Sequence, residues 1–141
     1  MKLEDIQAAI EQDSKINDAK LDQESLKIPE LHSKYYNIFM DELRRMKLLE
    51  SEYSRLKKDR VEYYLGLAQE DVYRAEPLHR KVMRQDLDLY LESDTKLADL
   101  KLRASMQRSK VELLEAFIKT LNNRNFLIKN AIDFRRFQHG S

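Results

Sequence analysis

Apolar residues recur at helical spacing almost from the first residue of this chain. Leu3, Ile6, Ala9 and Ile10 fall on one side of a helix, which predicts a short element over about residues 3–13. Residues 14–27 are polar and weakly patterned and predict a looser connection. Pro29 then suits the first turn of a second helix, where its missing N–H removes nothing. No further breaker occurs before Gly66, so one helix of roughly 35 residues is expected, several times the usual length. Its apolar seam runs through Met46, Leu49, Tyr53, Leu56, Arg60, Tyr63 and Leu67, in alternating steps of three and four. That is the spacing of a coiled coil, interrupted by one cation at Arg60.

Residues 66–76 predict a connection, with Gly66 capping the helix before it and Pro77 opening a helix over about 77–92. Glu92-Ser93-Asp94-Thr95 predicts an interruption, where short oxygen side chains cap a new helix. From there to about Phe137 the pattern is helical again, with a kink or turn expected at Asn122-Asn123. In that last stretch Leu113, Leu114, Phe117, Ile118 and Leu121 form one apolar patch. Phe126, Leu127, Ile128, Ala131, Ile132, Phe134 and Phe137 form another. Together they exceed one narrow stripe, and a helix that is apolar on several sides needs several neighbours. The expectation is self-association through the C-terminal third; an ordinary intrachain core is the alternative. The pattern divides the chain into residues 1–92, holding a candidate binding segment at 44–66, and an oligomerisation region at 93–141.

Composition supports an all-α class of long helices, coiled-coil-like in part. Charged residues make up 36% of the 141, Gly and Pro number two each, and the mean hydropathy of −0.71 fits long helices with wet surfaces. Cysteine is absent, which excludes disulfides and thiolate metal sites. No run approaches the length and apolarity of a membrane span, and the opening MKLEDIQAAIEQDSK reads as neither signal nor transit peptide.

The net charge of +1 conceals local blocks. Residues 1–30 hold eight acids and four bases, and residues 86–99 hold five acids and Lys96. Residues 44–60 hold seven bases (Arg44, Arg45, Lys47, Arg55, Lys57, Lys58, Arg60) against three acids. Basic blocks follow at 101–110 and 119–136. Such blocks suit a polyanion, charge pairing between subunits, or plain solvated helix faces.

Enzyme signatures are missing, and no catalytic residue, cofactor or metal is expected. Glycine at 66 and 140 alone makes no phosphate-cradling loop, and His32, His79 and His139 form no metal-binding pair. The strongest candidate is KKDRVEYYLG at 57–66. Lys57, Lys58, Arg60, Tyr63 and Tyr64 bring together cations for phosphates and rings for base stacking, and Arg44, Arg45 and Lys47 extend the track. The rival reading places Tyr53 and Tyr63 in the seam.

The chain resembles the UvsY family, recombination mediators of large tailed bacteriophages. The opening LEDIQ, the central KDRVEYYLG and the terminal RNFLIKNAIDFRRF carry the likeness. The resemblance implies a non-catalytic, ring-shaped homo-oligomer that binds single-stranded DNA in the cytoplasm of the infected bacterial host. It further implies partners: a RecA-type recombinase, and the phage single-strand-binding protein from whose DNA the recombinase must be loaded. It makes Lys58 and Arg60 the DNA-contacting pair. It assigns assembly to the C-terminal helix, through Leu113, Leu114, Phe117, Ile118, Leu121, Phe126, Ile128, Ile132, Phe134 and Phe137. After the tyrosines, Leu65-Gly66-Leu67-Ala68 departs from the family's pattern and leaves the next loop open. The competing classes are a coiled-coil scaffold without nucleic-acid affinity and a membrane-surface or partner-helix module. The interleaved acids count against the latter.

Overall fold

The computed structural model describes residues 1–140. Five α-helices follow one another: α1 (Leu3–Asp13), α2 (Leu21–Tyr64), α3 (Glu70–Ala75), α4 (Leu87–Glu92) and α5 (Thr95–Gln138). Short 3-10 turns at Asp18–Lys20 and Arg84–Asp86 precede α2 and α4. There is no strand among the described residues. The chain packs as two compact units, one of residues 1–44 with those from Arg108 on, the other of residues 45–107. The two 44-residue helices α2 and α5 contribute to both units.

The first unit is a three-helix core. Ile6 of α1, Tyr35 of α2, and Leu114, Phe117 and Leu121 of α5 are buried together. The rings of Tyr35 and Phe117 lie 4.6 Å apart at 55°. The Tyr35 hydroxyl donates to Asp13 Oδ2 at 2.7 Å, and Lys34 Nζ reaches the same carboxylate at 2.8 Å. Arg124 of α5 donates to the Asp13 carbonyl at 2.7 Å, placing a cation at the negative end of α1. A second cluster joins Leu21 and Ile28 of α2 to Ile128 of α5.

That second cluster explains a correction. Helix α2 begins at Leu21, not at Pro29, so half of the expected connection is helical and Pro29 lies inside the helix. Asn17 starts the turn by accepting from the Ala19 N–H at 3.0 Å, and Asp22 and Glu24 favour the positive end of the helix. An internal proline costs a helix about 3 kcal/mol. Burying Leu21 and Ile28 offsets that cost, and nothing local in the sequence records it. No turn interrupts α5 at Asn122-Asn123, where a kink or turn was expected, since the helix runs through both residues.

In the second unit, α2 ends as expected at Gly66. The N–H of Leu67 donates to Glu62 O at 2.8 Å and that of Gly66 to Tyr63 O at 3.2 Å, with Gly66 at φ +75°. This pairing is the Schellman arrangement, and the left-handed residue favours glycine. The predicted helix over 77–92 does not form. Residues 77–83 are irregular, and only the short α4 lies within the span. The end of α2 takes over the hydrogen bonds an N-terminal helical turn would need. The Tyr63 hydroxyl reaches the Glu76 and Pro77 carbonyls at 3.2 and 3.4 Å, and the Val82 N–H donates to Tyr64 O at 2.9 Å. The predicted connection at 66–76 in turn contains α3. The interruption at 92–95 is as expected: Asp94 Oδ1 accepts from the Leu97 N–H at 2.9 Å and opens α5.

Candidate nucleic-acid interface

The KKDRVEYYLG stretch divides into two kinds of residue. Arg60 and Tyr63 face inward, only 6% and 4% exposed. Arg60 Nε donates to Asp94 Oδ2 at 2.7 Å, and its two terminal nitrogens hold the Glu76 carboxylate in a fork at 2.8 and 3.1 Å. The Tyr64 hydroxyl donates to Asp94 Oδ2 at 2.6 Å. The guanidinium carbon lies 4.2 Å from the Tyr63 ring centre and 5.1 Å from that of Tyr64. Lys96 Nζ adds a contact to Glu76 at 3.2 Å. Tyr73 closes the cluster, its ring 5.4 Å from Tyr63 and its hydroxyl donating to Tyr63 O at 2.8 Å.

The electrostatics follow from this enclosure. Burial by itself would lower the pKa of Arg60 and raise that of Asp94. The hydrogen bonds to Glu76, Tyr64 and Asp94 outweigh burial at Arg60, so its pKa is raised. Donors from Tyr64, Leu97 and Arg60 hold the Asp94 carboxyl below its ordinary range. Glu76 is likewise lowered, chiefly by Arg60. Burial and then Asp94 push the Tyr64 phenol up. Four of the five N–H donors of this guanidinium are taken up within the chain, which leaves it little to offer a phosphate. Arg60 is the one cation in the seam expected from the sequence, and the structure keeps it there. It buries the cation at the seam position and matches it with two carboxylates. Arg60 and Tyr63, expected to touch nucleic acid, therefore hold the end of α2 to residues 76–77 and to the start of α5.

The remaining cations of the segment are exposed. Lys57 and Lys58 lie on the surface of α2, as do Arg45 and Lys47; Arg44 is exposed at the border of the first unit. Lys47, Ser51, Arg55 and Lys58 step by four, four and three and share one side of the helix. Arg55 donates to Ser51 Oγ at 3.2 Å. Lys47 and Lys58 make long contacts with Glu50 (3.8 Å) and Glu62 (3.9 Å), too exposed to tie either ammonium down. Arg55 was not singled out from the sequence, although its spacing from Lys47 and Lys58 marks it. Tyr64 is partly exposed, packed 5.7 Å from Tyr90.

The expected assembly residues also divide. Leu114, Phe117 and Leu121 are buried in the core of the first unit, with Leu113 and Ile118 packed on it, and Ile128 and Ile132 belong to the second cluster. These seven all pack within the chain. Phe126, Leu127, Phe134 and Phe137 lie on the side of α5 turned from Ile128, Ala131 and Ile132. Phe134 is 61% exposed and Phe137 80%. Among the described residues no cluster of side chains is fit to hold a metal, and no helix is long and apolar enough to cross a membrane.

These features define an all-helical protein built on two long helices, with a charge-locked aromatic cluster and a row of exposed cations beside it. A profile described as "Recombination, repair and ssDNA binding protein UvsY" matches residues 9–141, and the chain belongs to the UvsY family. Crystal structures of the recombination mediator protein UvsY of bacteriophage T4 share its fold. One lattice form superposes with a TM-score of 0.88 at 23% identity, covering 99% of this chain and 98% of that one. Another gives 0.84 at 22% identity over 95% and 98%. A third gives 0.71 at 21% identity over 99% of each. No curated protein matches the chain.

Proposed function

We propose that this protein is a recombination mediator. It binds single-stranded DNA as a ring-shaped homo-oligomer and helps a RecA-type recombinase load onto DNA covered by a single-strand-binding protein, in the cytoplasm of the infected host. The observation that carries the reading is the exposed cation row Lys47, Arg55 and Lys58, in a chain of a family described by single-stranded DNA binding. Arg44, Arg45 and Lys57 flank it. The DNA-binding role belongs to segment 44–66, and assembly to the exposed aromatic side of α5 within 93–141.

Magnitude supports multiplicity. Three phosphate contacts give a salt slope of only about −2 on a single strand, a weak grip for one subunit. Several subunits on one strand convert weak grips into an avid one. Anisotropy titration of labelled oligo-dT at two salt concentrations tests the reading. Affinity should fall steeply with salt and weaken on Lys47→Gln/Lys58→Gln. An assembly whose affinity is absent or indifferent to salt would instead be a scaffold.

A further inference from the structure

Residues 77–83 are irregular, and they and the turn after them carry a basic run, LHRKVMRQ at 78–85, that contains no acid. Arg80, Lys81 and Arg84 are all exposed. Among the described residues none of the three makes an ion pair or a side-chain hydrogen bond, unlike Arg60, Lys47 and Lys58. The run borders a hollow of about 490 Å³ whose wall includes Met83 and Tyr90. Met83 is 64% exposed and Tyr90 41%. One acid, Asp86, shares that wall.

The run is held in place from behind. Tyr63 and Arg60 fix Glu76 and Pro77 at one end, and the Val82 N–H is bonded to Tyr64 O at the other. The stem of Lys81 lies over Gly66, so close that a Cβ there would come within 2.7 Å of Cε. The glycine thus both ends α2 and gives the lysine its bed. The KKDRVEYYLG motif builds a rigid base, and what that base displays is a strip of unpaired cations beside an open ring.

We infer that Arg80, Lys81 and Arg84, with Tyr90, form a second contact for single-stranded nucleic acid: the cations on successive phosphates, the ring under a base. The chemistry favours a bared strand over a lipid surface. An exposed tyrosine beside unpaired cations suits stacking, worth about 1–3 kcal/mol per base, which a lipid surface does not offer. This inference rests on the reading of the protein as a single-strand binder, and assigns Arg60 and Tyr63 to positioning this surface.

The full chain carrying Arg80→Gln, Lys81→Gln and Arg84→Gln keeps the side-chain stems and loses three charges. Its affinity for oligo-dT at about 0.1 M salt should fall on the order of 10- to 100-fold, and its salt slope should flatten by about 2. Tyr90→Leu should lower affinity several-fold with the slope unchanged. Replacing the exposed Lys2, Lys15 and Lys20 by Gln removes equal charge and should leave binding intact. Wild-type binding with an unaltered triple variant would overturn this inference alone. An equal loss in the Lys2, Lys15 and Lys20 variant would overturn it too, by reducing the effect to net charge. A wild-type chain without salt-sensitive affinity would overturn both this and the functional reading.

Discussion

Arg60 shows how one side chain's surroundings reverse its meaning. In the sequence it is a cation four residues before a tyrosine, beside two lysines, and it reads as part of a phosphate-binding track. In the structure its charge is already matched by Asp94 and Glu76. Breaking a buried pair leaves an uncompensated charge, so Arg60→Ala should cost about 3–5 kcal/mol in urea unfolding. Lys58→Ala, at an exposed position, should leave the midpoint unchanged. A double variant at both positions would therefore mix lost contact with lost structure; the single variants separate them. The same network sets a pH dependence. Asp94 and Glu76 have folded pKa values below their ordinary 3.8 and 4.5. The unfolded chain then binds protons first as pH falls. Stability should stay flat above about pH 6 and decline as pH drops through 4.5 and below. Thermal melts across pH 7 to 3 would show this, with part of the acid limb removed in Asp94→Asn.

At the scale of the element, the ends of helices are better written in the sequence than their beginnings. Gly66 ends α2 by adopting φ +75°, a conformation a side chain disfavours by about 1–2 kcal/mol. Gly66→Ala should lose at least that much stability and displace Lys81, whose Cε would lie 2.7 Å from the new methyl. Unfolding together with oligo-dT affinity checks both halves of the expectation, and both should fall. The start of α2 obeys no such local rule. Leu21 and Ile28 meet Ile128 of α5, about a hundred residues on in the chain. That contact carries the helix through Pro29.

At the scale of the whole molecule, α5 has two apolar sides with different fates. The side bearing Leu114, Phe117 and Leu121 completes the core of the first unit; the side bearing Phe126, Leu127, Phe134 and Phe137 is bare. The proposed assembly predicts that Phe134→Ser/Phe137→Ser lowers the mass found by sedimentation while the helical circular dichroism stays intact. Leu114→Ala should act differently, costing about 2–5 kcal/mol of stability through a cavity in the core. If sedimentation shows the double serine variant at the full assembly size, the bare side of α5 is not the interface.

The all-helical class, the helix over 3–13, the Gly66 stop and the new helix start within residues 92–95 followed from the sequence alone. Each is fixed by local chemistry: apolar spacing, a left-handed residue, or a carboxylate capping a helix. The exposed lysines of α2 were legible too, because charge at a surface position needs no partner to define it. Tertiary structure alone decided that Pro29 sits inside a helix, that residues 77–83 form none, and that Arg60 points inward. It also divided the C-terminal apolar residues into core and bare surface. Those outcomes turn on residues brought together from tens of positions apart, such as Arg60 with Asp94 and Tyr64 with Val82. A pattern read along the chain carries spacing, but not the identity of the neighbour that will meet each side chain in space.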